Sequence, residues 1–147
     1  MIRVVVDPGV LISALLSPSG SPAAILLAWR GGAIDIVVCP MLLDEVATVL
    51  ARPKFRPYVT GAEADAYVAI LRREATMADD PVPLQGATRD PGDDYLVALA
   101  RDVRARYLVS GDRHLTELEH PEPPVLTPRD LIDRLEAGPG RDQGSGG

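Results

Sequence analysis

The period of apolar and polar positions changes repeatedly along the chain, and each change marks an element. Residues 2–6, IRVVV, are almost continuously apolar, the pattern of a strand buried on both faces. Residues 10–15 read as a helix ended by SPSGSP. Ser21 then caps a second helix with Pro22 at its first position, running through AAILLAWR to Gly31-Gly32. AIDIVV (33–38) is a second apolar strand. From Pro40, Leu42, Leu43, Val46, Val49 and Leu50 recur at helical spacing until RPKFRP breaks the pattern. Thr60 and Glu63 form a capping box for a long helix over residues 62–76. DDYLVALARDVRA (93–105) is amphipathic, RYLVS (106–110) is a third strand, and GDRHLTEL (111–118) a turn and short helix. PPVLT (123–127) predicts a short fourth strand. Thr127 and Pro128 then open a last helix, PRDLIDRLEA.

Strands alternating with helices of ten or more residues imply an α/β fold of βαβ units and a mainly parallel sheet. Ligands of such sheets bind beyond the carboxyl ends of the strands. At 147 residues the chain suits one domain with a real core. Residues 79–94 read as a Pro/Gly-punctuated loop, and AGPGRDQGSGG (137–147) as a disordered tail, leaving residues 1–136 as the domain.

Composition narrows the function classes. No apolar run reaches the roughly 18 residues of a membrane span. The N-terminus reads as a first strand and not as a signal peptide, so the cytoplasm is the expected compartment. The single cysteine, Cys39, cannot form an internal disulfide and reads as a small core residue at a strand end. A net charge of −6 argues against a passive nucleic-acid coat, which would present a basic face. It leaves open an enzyme on nucleic acid whose acids are neutralised by a divalent metal. Lys54 is the only lysine, which removes lysine chemistry from most of the chain.

The acids then form a pattern. Asp7 ends the first strand, Asp44 and Glu45 lie one turn into the helix after the second, and Asp93 and Asp94 begin the helix before the third. Asp112 lies just beyond the third strand. All map to one edge of a parallel sheet. Periodicity does not choose between Asp44 and Glu45, and most of these acids also fit as helix-start residues. Asp7 does not, because it follows a buried strand and a buried carboxylate is costly unless paired or bound to a cation. Converging carboxylates are usually reconciled by Mg²⁺ or Mn²⁺, ions suited to phosphoryl chemistry.

Taken in order, VVVDPGVLISALL, CPMLLDEVATVLARPKF, RDPGDDYLVALA and YLVSGDRHL resemble a PIN domain. The likeness is to the branch of toxin–antitoxin ribonucleases related to VapC. It covers about residues 2–135, with TPRDLIDRL also typical. The resemblance implies a Rossmann-like, mostly parallel central sheet of four to five strands with helices on both faces. It implies an endoribonuclease dependent on Mg²⁺ or Mn²⁺, an RNA substrate, a cognate antitoxin, a possible homodimer and no membrane. It assigns the acids as Asp7, Glu45 (not Asp44), Asp94 and Asp112, with Ser110 and Asp93 in support. Asp7, Asp94 and Asp112 are expected to bind the metal directly, and Glu45 through a water or a second ion. Ser110 is expected to position a metal-bound water or a phosphate. The expected phosphate contacts are Arg52, Lys54, Arg56 and Arg113.

Two departures stand out. The family usually has Asp-Thr-Asn where this chain has Asp7-Pro8-Gly9, so a hydroxyl, an amide and one backbone N–H are missing beside the first acid. His114 stands where an acid is common. A fold with weakened metal binding, acting as an RNA- or antitoxin-binding module, is the alternative. A receiver-like phosphoacceptor lacks its late lysine here, and a haloacid-dehalogenase phosphatase would need an acid where Gly9 stands.

Overall fold

The structure is a computed structural model and describes residues 1–82 and 94–138, with the Asp94 side chain outside that set. Most of the loop expected at 79–94 and the tail from residue 139 on lie outside the described residues.

The chain begins with β1 (Ile2–Val6), α1 (Pro8–Leu16) and α2 (Ser21–Arg30). Then come β2 (Ile34–Val38), α3 (Pro40–Leu50), a 3₁₀ turn at Pro53–Phe55 and α4 (Gly61–Glu74). β3 is Thr76–Met77 and α5 is Asp94–Asp102. β4 (Tyr107–Val109), α6 (Arg113–Thr116), β5 (Val125–Leu126) and α7 (Pro128–Ala137) complete it.

The five strands are all parallel, in the order β3-β2-β1-β4-β5. β1 is central: Val5 lies beside Val37 on one side and Leu108 on the other. Burial explains its composition, since Val4, Val5 and Val6 are covered from both faces. Connections run outward from β1 to β3, then return past β1 to β4 and β5. Right-handed crossovers in opposite directions lay helices on opposite faces, and α5 packs on β1 and β4. The order reverses between β1 and β4, so the crevice between their carboxyl ends is the switch point where ligands bind in such sheets.

Helix starts follow local chemistry. The Thr60 hydroxyl accepts from Glu63 N while Glu63 Oε1 accepts from Thr60 N, both at 3.0 Å, completing the predicted box. Thr127 caps α7 by accepting from Asp130 N at 3.1 Å. Ser21 is itself the first residue of α2 with Gly20 as its cap, one position earlier than the sequence pattern predicts. β3 falls where the sequence predicts the end of a helix. Its two residues are exposed and too few to show a period, and only pairing with Val37 and Val38 makes them a strand. Cys39 is fully buried, and burial pushes its thiol up to about 11, in keeping with a core residue. No described helix is by itself long and apolar enough to cross a membrane.

Candidate functional site

The switch point is built by hydrogen bonds between the ends of β1 and β4. Val6 pairs with Val109, and one residue on, Asp7 N donates to Val109 O at 2.9 Å. Asp7 is thus held at the sheet edge, half-buried, as the cap of α1. Its Oδ1 accepts from Gly9 N at 2.7 Å, and its Oδ2 accepts from the Ser110 hydroxyl at 2.7 Å. Ser110 is fully buried, and its oxygen also accepts from Asp112 N at 3.0 Å. One serine therefore ties the first acid to the backbone of the last. Its hydroxyl is engaged between them, where the sequence analysis expects it to face a water or a phosphate.

This geometry changes the meaning of Asp7-Pro8-Gly9. Pro8 is the first residue of α1, where a backbone N–H has no intrahelical partner in any case. The donor that matters is Gly9 N. A Cβ at Gly9 would stand 3.3 Å from Asp7 Oδ1, a tight approach that glycine avoids.

Burial raises the Asp7 carboxyl above its ordinary range, and the charge of Asp112 adds a smaller push in the same direction. The bonds from Ser110 and Gly9 oppose both. Neither Asp7 nor Asp112 is in an ion pair among the described residues. Asp112 caps α6, its Oδ1 accepting from His114 N at 2.9 Å.

Glu45 reaches the region from α3. The Tyr95 hydroxyl, on α5, donates to Glu45 Oε1 at 3.0 Å. Tyr95 is only 4 % exposed, and its phenol is pushed well above its usual range by burial, then by Glu45 and, more weakly, by Asp7. Asp44 is exposed one position earlier. Both acids are exposed, and it is Glu45 that takes the bond from Tyr95. Asp94 is the first residue of α5, directly before Tyr95; its side chain and all of Asp93 lie outside the described residues. Among the described residues no three acid, histidine or cysteine side chains form a cluster able to hold a metal.

The donor set nevertheless suits a hard divalent cation. Asp7 and Asp112 supply carboxylate oxygens, repel one another, and have no cationic side chain paired to them among the described residues. Beside them opens a cleft of about 390 Å³ walled by Val10 and Ser13 of α1, Pro22 of α2 and Pro128 of α7.

The basic residues divide. Arg113 opens α6 and is exposed next to Asp112. Arg52, Lys54 and Arg56 follow the far end of α3, about 16 Å along the helix from Pro40 at a rise of 1.5 Å per residue. The fold therefore does not bring them to the edge where the acids start. Arg52 and Lys54 are exposed, the latter with its ammonium 5.1 Å from the Phe55 ring. Arg56 donates to the Leu50 carbonyl, and its Nε is buried without a partner among the described residues. Its position is that of a cap on α3, not of a free phosphate contact.

Two side chains escape the sequence reading. Asp80 Oδ1 accepts from Met41 N at 2.8 Å and supplies the start of α3 with the cap that Cys39 does not make. The only hint was that lack, and the partner lies 39 residues away. Tyr95 is the other; its position on an apolar helical face carried no signal beyond packing.

A sequence model of the PIN domain matches residues 3–114. "Uncharacterized protein MJ1680" of Methanocaldococcus jannaschii is 26% identical over 144 residues, covering 92% of both chains. Among solved structures, PAE2754 from Pyrobaculum aerophilum superposes with a TM-score of 0.65 at 19% identity, covering 92% of this chain and 96% of that one. VapBC2 from Rickettsia felis, bound to a DNA fragment from their promoter, superposes with a TM-score of 0.60 at 10% identity. That match covers 86% of this chain and 98% of the other. At these identities the two structures show a shared fold.

Proposed function

The chain belongs to the PIN domain family, and on that footing we propose that it is a Mg²⁺- or Mn²⁺-dependent endoribonuclease and the toxin of a toxin–antitoxin pair. PIN domains are generally nucleases, and the likeness to VapBC2 supports a cognate antitoxin as partner. The observation that carries the reading is the pairing of Asp7 with Asp112 through Ser110, two acids of like charge held together at the switch point of a parallel sheet.

In this reading Asp7, Asp94 and Asp112 would hold the cation, with Glu45 contributing through a water or a second ion. When bound, the cation lowers the pKa of a water and offsets charge on the phosphodiester. Ser110 keeps Asp7 from turning away, and Gly9 N holds its other oxygen. Arg113, exposed beside Asp112, would meet a backbone phosphate, and the cleft beyond Asp7 would take the RNA chain between α1 and α7. Attack of water on the phosphorus with departure of the 3′ oxygen would leave a 5′-phosphate and a 3′-hydroxyl. The alternative of a weakened binding module has less support, because Asp7 keeps two donors despite Pro8.

The test is cleavage of labelled RNA by the purified protein with Mg²⁺, Mn²⁺ or chelator, beside Asp7→Asn and Asp94→Asn. Metal-dependent cutting that falls in both variants is expected. No cutting of any RNA with either metal would overturn the nuclease reading and leave the binding module.

A further inference from the structure

We infer that Tyr95 is a positioning residue for Glu45, its buried hydroxyl fixing the direction of that carboxylate and tying the start of α5 to α3. The inference rests on the nuclease reading for its catalytic meaning, but the bond itself does not depend on it.

Glu45 lies on the exposed side of α3. A glutamate there has several rotatable bonds and samples many rotamers unless something selects one. Tyr95 contributes to that selection. Its ring is buried among core residues, and its hydroxyl ends 3.0 Å from Glu45 Oε1. A buried phenol needs an acceptor, and a phenylalanine would fill the same space without one.

The bond also joins elements with different supports. α3 packs on α1 and α4, whereas α5 packs on β1 and β4. Glu45 and the backbone of Asp94 therefore belong to separate frames. Tyr95, next in sequence to Asp94, links one frame to the other.

Tyr95→Phe removes only the hydroxyl. We expect it to fold, to bind RNA with an unchanged KM, and to lower both kcat and Mn²⁺ affinity (read by calorimetry) by about 10-fold or more. In a Glu45→Gln background the same change should cost little further, because its target is already altered. An equal fold-loss in both backgrounds, or none in either, would overturn the inference.

A second arm is independent of cleavage and of how Tyr95→Phe folds. In Glu45→Ala, a change at an exposed position, the Tyr95 hydroxyl proton should lose its protection from exchange with water by NMR. Unchanged protection would sink the inference. Wild-type protein that cuts no RNA would count against the nuclease reading alone, with the proton-exchange arm still deciding this one.

Discussion

The Ser110 hydroxyl donates to Asp7 Oδ2 at 2.7 Å, joining residues 103 positions apart in the chain. The same oxygen accepts from Asp112 N, so one buried atom holds both ends of the acid pair. Ser110→Ala leaves Asp7 Oδ2 and Asp112 N without that partner. Unfolding in urea should show a loss of about 1–3 kcal/mol, the usual cost of an abandoned buried polar group. RNA cleavage should fall with it. Stability within about 0.5 kcal/mol of wild type would mean that the serine is dispensable.

Asp7→Asn separates stability from chemistry. The raised carboxyl of Asp7 means that the folded protein holds this proton more tightly than the unfolded chain. Its stabilising effect is full below the unfolded value, near pH 4. It is lost as pH rises through the higher folded value, and stays lost above it. Asparagine carries no such charge. Metal-free wild type should therefore lose more melting temperature than Asp7→Asn between about pH 4 and pH 7. Adding Mn²⁺ at about 100 times its Kd should restore roughly 2.7 kcal/mol to the wild type alone. A parallel pH profile for the two proteins would contradict this.

Gly9→Ala tests the approach of backbone to carboxylate. The new methyl would press within 3.3 Å of Asp7 Oδ1. In compensation, alanine is favoured over glycine in a helix by up to about 1 kcal/mol. We expect a melting temperature close to wild type with several-fold slower cleavage. Cleavage at the wild-type rate would show that Asp7 tolerates the displacement.

The cations should separate by position. Arg113 adjoins Asp112, whereas Arg52 and Lys54 follow the far end of α3. Arg113→Ala should weaken RNA binding and reduce the slope of log affinity against log salt by about one. The double change Arg52→Ala with Lys54→Ala should alter that slope less. Filter binding across a salt series distinguishes them. Arg56→Ala should instead lower stability, because its guanidinium caps the Leu50 carbonyl.

Strand and helix positions were readable where burial imposes a period or a cap leaves a residue signature. Three valines in a row announced the central strand, and Thr60 with Glu63 announced α4. β3 was not readable because two exposed residues have no period, and its existence depends on β2 beside it. At the site, the acids could be placed because each follows or precedes a recognisable element. Ser110 was named beside them as a support, but the bonds themselves act across the chain and were not readable: Ser110 on Asp7, Tyr95 on Glu45, Asp80 on Met41 N. Asp-Pro-Gly lacks the side-chain donors common in the family, while Gly9 N supplies Asp7 with a backbone donor that no side-chain pattern reveals. The RPKFR cluster looked apt for phosphate by charge alone, and only the direction of α3 sets it apart from the start of the acid edge.

The position of β1 has an outcome in time as well as space. It leaves a ribosome before the other described strands, yet its neighbour on the acid side, β4, begins only at Tyr107. Contacts of such long separation form late. A growing chain thus holds Asp7 with no Ser110 to complete the pocket until 103 further residues have been made. Whatever this fold cuts, a truncated product ending before residue 107 carries no blade.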